Sequence, residues 1–376
     1  MYDAIIVGAS FAGLAVANQL RGHRVLLVDR KPIGTGQTSA CGTILRVLEH
    51  WDWAEAVLQV CDRLVLHTAR RSIEFPSPYP WCTFDYRRFC ETLFERAGAE
   101  HLQTAARGFE DGWVCTNHGD FRGRCVVDAS GWRAVLASSV VPGFAQAAPM
   151  NFGIETIRPL PDDARVDPSA LHFWYDPAIL RNAVGWVFSR GETASVGIGS
   201  YRGATHLRLP LTRFAEQFGL EADGLHGTYF PYTLRDPTVG GLFVVGDAAG
   251  MCIGLTGEGI RPALFFGEAC GRIVRRVLEG ELTLEAGLAE YAAFVEARRR
   301  FFQVFSAAQA ILTRLPPAWI DAVALLIHDD RVRPWVLGKY WGLTREWDSV
   351  SAKGLYPALP DRAAASFRSV QGRTGL

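Results

Sequence analysis

Residues Gly241–Gly267 read GLFVVGDAAGMCIGLTGEGIRPALFFG. Leu242–Val245 is a short continuous apolar run, which predicts a buried strand. Gly246-Asp247 then turns the chain, and Gly257-Glu258-Gly259 precedes a long helical pattern that begins at Ile260. Glycines let backbone amides approach a ligand closely, and the amides that open a helix carry a partial positive charge suited to an anion. A strand, an acidic turn and a glycine-flanked helix start therefore suit a polar ligand gripped at both ends. The same order also suits a plain strand–turn–helix in which Asp247 caps a helix. The rest of the chain decides between them.

The N-terminus carries the second half of such a grip. Tyr2–Val7 is apolar and β-branched, as a buried parallel strand should be. Gly8-Ala-Ser-Phe-Ala-Gly13 follows, then small and apolar residues at helical spacing, then a second strand, Arg24–Val28, with Asp29 at its end. This is the βαβ pattern of a dinucleotide site, with a tight turn, a close backbone approach to a pyrophosphate and an acid for a ribose hydroxyl. The middle glycine is replaced by Ser10, whose side chain must point away from the phosphates.

The chain has 376 residues, 49% of them hydrophobic and 21% charged, which fits two ordered domains or one large domain with an insertion. Lys+Arg and Asp+Glu both number 39, so bulk charge does not mark a nucleic-acid binder. The eight cysteines form no CxxC pair and no metal-type spacing, the pattern of reduced thiols in a cytoplasmic protein. No metal site is expected. Met1 runs directly into a strand pattern, which leaves no room for a signal peptide, and no apolar run reaches transmembrane length.

Between these ends the pattern predicts a loop over Gly34–Gly42, a helix over Ile44–Val60, a short hairpin of Arg63–His67 and Ser72–Phe75, and irregular chain at Pro76–Pro80. Tyr86–Ala97 reads as an amphipathic helix. Arg124–Asp128 is a strand running into Asp128-Ala-Ser-Gly131, a turn that standing alone reads as structural. From Ala148 to Tyr232 apolar and polar residues alternate with many aromatics, which predicts an antiparallel sheet containing Phe173–Tyr175, Gly185–Ser189 and Ser195–Tyr201. Leu284–Leu315 reads as helical, and the tail holds Trp319, Trp335, Tyr340, Trp341 and Trp347, whose role is packing, closing a pocket or contacting a membrane surface, with packing the first expectation.

Three motifs, GASFAG with Asp29, VVDASG at 126–131 and VVGDAAG…GEGI at 244–260, occur in the order seen in the FAD-dependent group built like p-hydroxybenzoate hydroxylase. Within that group, Gly246-Asp247-Ala-Ala-Gly250 and Thr256-Gly-Glu-Gly-Ile260 are most similar to the geranylgeranyl reductase family. Cys41-Gly42 matches a Cys-Gly pair of the family. Its aromatic Tyr-x-Trp-x-Phe-Pro pattern corresponds to Val184-Gly-Trp186-Val-Phe188-Ser189, where Trp and Phe match and Tyr and Pro do not. Gly254 stands where the family has proline. The resemblance covers about residues 1 to 300.

It implies an α/β fold: an FAD-binding Rossmann-like domain of the p-hydroxybenzoate hydroxylase/glutathione reductase type, with an inserted antiparallel substrate sheet and a helical C-terminal region. The expected boundaries are 1–65, 98–145 and 239–300 for the FAD domain, 66–97 and 146–238 for the substrate domain, and 301–376 for the helical region. Implied FAD contacts are Gly8, Ser10, Phe11, Ala12, Gly13, Asp29, Arg30, Cys41, Gly42, Asp128, Gly246, Asp247, Gly257, Gly259 and Ile260. Asp29 would hold the adenosine ribose, Asp247 the ribityl chain, and the amides of Gly259 and Ile260 the flavin N1–C2=O edge. Glu258 is expected to favour the helix dipole as a first-turn acid, and Cys41 and Cys252 to be buried inert thiols.

Phe173, Tyr175, Trp186 and Phe188 are candidate walls of a hydrophobic substrate pocket, or alternatively sheet core. No second glycine fingerprint appears, so the reductant is NAD(P)H docking transiently or a protein carrier. The expected activity is reduction of carbon–carbon double bonds in a hydrophobic, isoprenoid-like substrate, with an FAD monooxygenase or epoxidase as the alternative and a halogenase behind it. No residue is assigned as the proton donor. The expected location is cytoplasmic, with peripheral membrane contact left open.

Overall fold

The computed structural model describes residues 1–344 apart from 178, 180, 204 and 205. The chain opens with β1 (Tyr2–Val7), α1 (Phe11–Gln19) and β2 (Val25–Asp29), then β3 (Gly42–Ile44) and α2 (Leu45–His50). A long ribbon, β4 (Val57–Thr68) and β5 (Ser72–Phe84), leads into α3 (Tyr86–Ala97). There follow β6 (Glu100–Gln103), β7 (Ala106–Glu110), β8 (Trp113–Thr116), β9 (Gly119–Asp128) and α4 (Val135–Val140). The aromatic region supplies β10 (Met150–Pro159), β11 (Ala170–Tyr175), β12 (Ala183–Arg190), β13 (Thr193–Ser200), α5 (Arg208–Glu216) and β14 (His226–Pro231). The chain then returns through β15 (Thr238–Val239) and β16 (Leu242–Val244) to α6 (Ile260–Leu278) and α7 (Leu284–Glu296). It continues as α8 (Arg299–Leu312), α9 (Pro317–His328) and α10 (Arg333–Trp341).

Two sheets result. In the first, β16, β9, β1, β2 and β6 run parallel in that order, with β15 antiparallel at one edge and β7–β8 continuing from the start of β9. The central strands are buried on both faces, which is why their sequences are continuous apolar runs rather than alternating ones. Register places Val7 beside both Val28 and Asp128, so the C-terminal ends of three strands, and the loops that follow them, lie at one edge. Ligands of open α/β sheets bind at that edge.

The second sheet runs β14-β10-β13-β12-β11-β4-β5-β3. It is antiparallel except where β11 lies parallel to β4. One face packs on α5 through Trp174, Val187, Val196, Ile198 and Phe214. The opposite face carries Phe173, Trp186 and Phe188 and joins the main core.

Several sequence expectations change. The helix expected over Ile44–Val60 ends at His50, and from Val57 the chain is β4. Pairing with β5 along nearly the whole strand outweighs local helical propensity there. Pro76–Pro80, expected to be irregular, lies inside β5 at the register shift between Cys61 and Arg63, where the ladder needs no proline N–H. The boundary at 65 also moves: β3 and β4 already pair in the second sheet, whereas α3 packs on α1, with the Asn18 amide donating to Leu93 O at 2.9 Å.

The helix expected over Leu284–Leu315 is broken into α7 and α8 near Ala297. In the tail, Tyr340 and Trp341 pack as expected, Trp341 edge-on to Tyr79. Trp319 and Trp335 instead stand exposed, at 61% and 65%. Trp347 lies outside the described residues.

Candidate functional site

The glycine loop between β1 and α1 is shaped by close backbone approach. A Cβ at Gly13 would lie 1.9 Å from Gly8 O, and one at Gly8, whose φ is +107°, would lie 2.1 Å from Ala129 O. Neither position admits another residue without moving the strand ends. Ser10 precedes α1 but does not cap it with its side chain. Its hydroxyl instead bonds the Tyr86 hydroxyl at 3.1 Å. That leaves the N–H groups of Ser10, Phe11 and Ala12 without a protein acceptor among the described residues. Asp29 accepts from Ala9 N at 2.8 Å and Lys31 N at 2.9 Å, which ties the glycine loop to β2. A carboxylate has acceptor sites left after two such bonds. Arg30 beside it is exposed.

α6 lies against α1 through small residues. A Cβ at Gly267 would sit 2.7 Å from Ala12 O, and one at Gly271 2.7 Å from Val16 O. The two helices run the same way, and Ala12 is level with a residue seven positions beyond Ile260. At 1.5 Å per residue, the start of α6 projects about 10 Å past the start of α1. The Gly246-Asp247 turn fits between them, since a Cβ on Gly246 would meet Ala12 Cβ at 2.8 Å. Two helix starts and an acid are thus strung along one line, which suits an elongated, polyphosphate-bearing ligand.

Asp247 is half-buried and makes no side-chain hydrogen bond among the described residues. Burial pushes its carboxyl up to about 6, and the charge of Arg235 pulls the other way. Arg235 is itself buried and donates to the carbonyls of Trp132, Asp247, Ala248 and Ala145, pinning the 246–249 turn to the loop after β9. Sequence reasoning missed it because its partners are carbonyls, which leave no motif. A half-buried carboxylate whose oxygens take no protein donor among the described residues can accept hydrogen bonds from a ligand hydroxyl.

At the start of α6 the N–H groups of Gly259 and Ile260 also lack protein acceptors among the described residues. Glu258, expected to act as a first-turn acid, instead pairs with the wholly buried Arg261 at 2.8 Å. It also accepts from Thr43 Oγ1 at 3.4 Å, which brings the Cys41-Gly42 loop against the α6 start. Cys252 lies beneath, its thiol 3.8 Å from where a Cβ of Gly259 would be and pushed well up by burial.

The four aromatic candidates share one face of the second sheet. Phe173 and Phe188 meet edge to face at 5.1 Å, and Trp186 and Phe188 lie 6.4 Å apart. Trp186 is laid across Gly153, Gly197 and Gly199, where a Cβ on Gly197 would come within 2.1 Å of the indole. Its Nε1–H donates to Glu155 Oε2 at 3.0 Å. Phe188 reaches Gly42, 3.2 Å from where a Cβ would stand. Tyr175 sits apart from this cluster, its hydroxyl donating to Leu312 O of α8 at 3.5 Å.

Asp128 and Cys41, both expected as FAD contacts, have fully buried side chains bonded within their own loops. Asp128 is fully buried, with one carboxylate oxygen accepting from Ser130 N and Oγ and the other from Ala137 N. It is the clamp of its own loop. Cys41 is likewise fully buried, its thiol donating to Ser39 O, and burial raises it far above the ordinary thiol range. Among the described residues no group of acids, histidines and cysteines is arranged to hold a metal. No described helix is long and apolar enough to cross a membrane.

Residues 3–82 match the FAD-dependent oxidoreductase family. The chain is 27% identical over 297 residues to a geranylgeranyl diphosphate reductase of Rhodobacter capsulatus, covering 72% of this chain and 73% of that one. It is 29% identical over 328 residues to a digeranylgeranylglycerophospholipid reductase of Methanosphaerula palustris, covering 77% and 80%. Among solved structures, a geranylgeranyl bacteriochlorophyll reductase-like protein from Thermoplasma acidophilum superposes with a TM-score of 0.78 at 22% identity, covering 88% and 92%. The chain is an FAD-dependent oxidoreductase, related to the geranylgeranyl reductases.

Proposed function

We propose that the enzyme saturates carbon–carbon double bonds of a hydrophobic, isoprenoid-like substrate. The observation that carries this reading is the indole of Trp186, spread over a glycine floor on the sheet face that meets the Cys41-Gly42 loop. Glycines at Gly153, Gly197 and Gly199 give up side-chain packing to make room for one flat apolar surface. Such a surface suits an extended hydrocarbon. The names of the relatives fit the same chemistry.

The cofactor cradle fits FAD. The amides that open α1 would take the pyrophosphate, Asp29 the adenosine ribose, Asp247 a ribityl hydroxyl, and the amides of Gly259 and Ile260 the electron-accepting edge of the ring. Bound FAD supplies the hydride. The helix start at Gly259 favours negative charge by some tenths to about 2 kcal/mol, so this chain helps its cofactor hold electrons. Buried Glu258 and Arg261 fix that helix start, and the aromatic face keeps water from the reacting carbons. The reductant is NAD(P)H or a protein donor.

Anaerobic turnover tests the reading. Enzyme reduced with dithionite and given geranylgeranyl diphosphate should yield a product heavier by two hydrogens. A product that forms only with oxygen and carries an added oxygen atom would show a monooxygenase instead.

A further inference from the structure

Glu155 and His226 form an ion pair that no part of the FAD cradle uses. Glu155 lies on β10, on the same sheet face as Trp186, and His226 opposes it on the edge strand β14. His226 Nε2 and Glu155 Oε1 are 2.8 Å apart, and the other carboxylate oxygen accepts from the Trp186 indole. The Glu155 side chain is only 3% exposed, whereas that of His226 keeps 24% of its surface in solvent. A carboxylate that deep in an apolar wall is costly unless its charge is held by partners. Here the partners are an imidazole with an open edge and the ring that floors the proposed substrate face.

Other groups on this face are poor proton donors. The amides of Asn151 and Gln309 are spent on each other at 2.9 and 3.0 Å. The Tyr201 hydroxyl donates to Leu255 O and is raised by burial, as is the nearby Cys41 thiol.

We propose that the Glu155–His226 pair is the proton source for double-bond reduction. The proposal rests on the reductase reading above. Saturation of an alkene takes one hydride and one proton. The hydride forms a C–H bond at one carbon, and the π electrons left on the other carbon take the proton held by the pair. The pair then carries one negative charge, as a carboxylate and a neutral imidazole, and the Trp186 N–H stays bonded to that carboxylate. Solvent reprotonates it through the exposed edge of His226.

The surroundings keep this proton available. The hydrogen bond to Glu155 raises His226 above its ordinary value, burial opposes, the charge of Glu155 and the Gly224 carbonyl add to the rise, and Arg190 on β12 works against it.

The test uses holoenzyme reduced anaerobically with dithionite, then mixed with geranylgeranyl diphosphate or with oxygen. Glu155→Gln should slow reoxidation by the alkene at least 100-fold, within the usual range for loss of a general acid. Reduction by dithionite and reoxidation by oxygen should be unchanged. His226→Gln, with its exposed edge, serves if Glu155→Gln fails to retain FAD, and should slow the alkene step similarly. Trp186→Phe should keep FAD and move the pH profile of the alkene step. In the resting protein, NMR of labelled histidine should show His226 titrating above a free imidazole, and lower in Glu155→Gln. Alkene reoxidation within threefold of wild type in both variants, or an ordinary His226 titration, overturns the assignment. A wild-type enzyme that reoxidises with oxygen but never with alkene overturns the reductase reading itself.

Discussion

The Arg261 guanidinium donates to the Glu258 carboxylate across Gly259 and Ile260, the two residues that open α6. Both side chains are buried, and Tyr340 of α10 joins them, its hydroxyl donating to Glu258 and its carbonyl accepting from Arg261. The Arg261 charge also lies over the Tyr340 ring at 4.6 Å. A C-terminal helix is thereby fastened to the backbone expected to face the flavin.

That arrangement predicts an order of losses. Arg261→Met leaves Glu258 buried without its cation and should cost about 3–5 kcal/mol. Tyr340→Phe removes one hydrogen bond to a charged acceptor and should cost about 1.5–3 kcal/mol. Denaturant midpoints, read beside FAD release by fluorescence, check both. Equal midpoints for Arg261→Met and wild type would mean that the ion pair holds nothing in place.

Ser10 predicts a tolerated change. Its hydroxyl is drawn to Tyr86, away from the amides that open α1, so Ser10→Gly restores a bare loop and removes no ligand contact. FAD affinity should stay within about 0.5 kcal/mol, since no side-chain cap is lost. Ser10→Asp places a negative charge at the same helix start and should weaken FAD by tenfold or more. Calorimetric titration of the apoprotein separates the outcomes.

Some of this was legible in the sequence and some was not, for physical reasons. Gly8 and Gly13 announce themselves because backbone crowding excludes every other residue, and Gly246 because its φ of +67° and the Ala12 Cβ beside it favour glycine, so the constraint is written in residue type. The strands at Tyr2–Val7 and Leu242–Val244 are equally plain, being apolar on both faces. β4 was misread because its pattern is decided by a partner strand, not by its own residues. Arg235, Arg261 and the Glu155–His226 pair stayed hidden because each is defined by partners far along the chain. Gly197 and Gly199 did carry a signal, two glycines on one face of a strand, which is a place where something lies flat.

Gly197→Ala tests that floor directly. Its new Cβ would stand 2.1 Å from Trp186 Cζ2, so the indole must lift or β13 must shift. Overpacking of this kind costs about 1–3 kcal/mol. The Trp186 Nε1–H bond to Glu155 should break as the ring moves, which a change in the pH dependence of tryptophan fluorescence against a Trp186→Phe control would report. FAD content should hold. An unaltered fluorescence profile with full substrate affinity would show that the glycine serves only the sheet.

The last expectation concerns protons at Asp247. Burial raises its carboxyl from 3.8 to about 6, with Arg235 opposing. A carboxyl whose folded value lies above its unfolded one binds its proton more tightly when folded. Its contribution to apoprotein stability is therefore complete below about pH 4 and is lost as pH rises through about 6. Hydroxyl donors from a ribityl chain favour the ionised form and bring the value down again. FAD binding near pH 6 should then expel a fraction of a proton, and near pH 8 none. Calorimetry in two buffers of different ionisation enthalpy counts that proton. Asp247→Asn should abolish the release and weaken binding most at high pH, where the wild-type carboxylate is ionised. Identical proton counts in Asp247→Asn and wild type would place the titrating group elsewhere and remove Asp247 from the cradle.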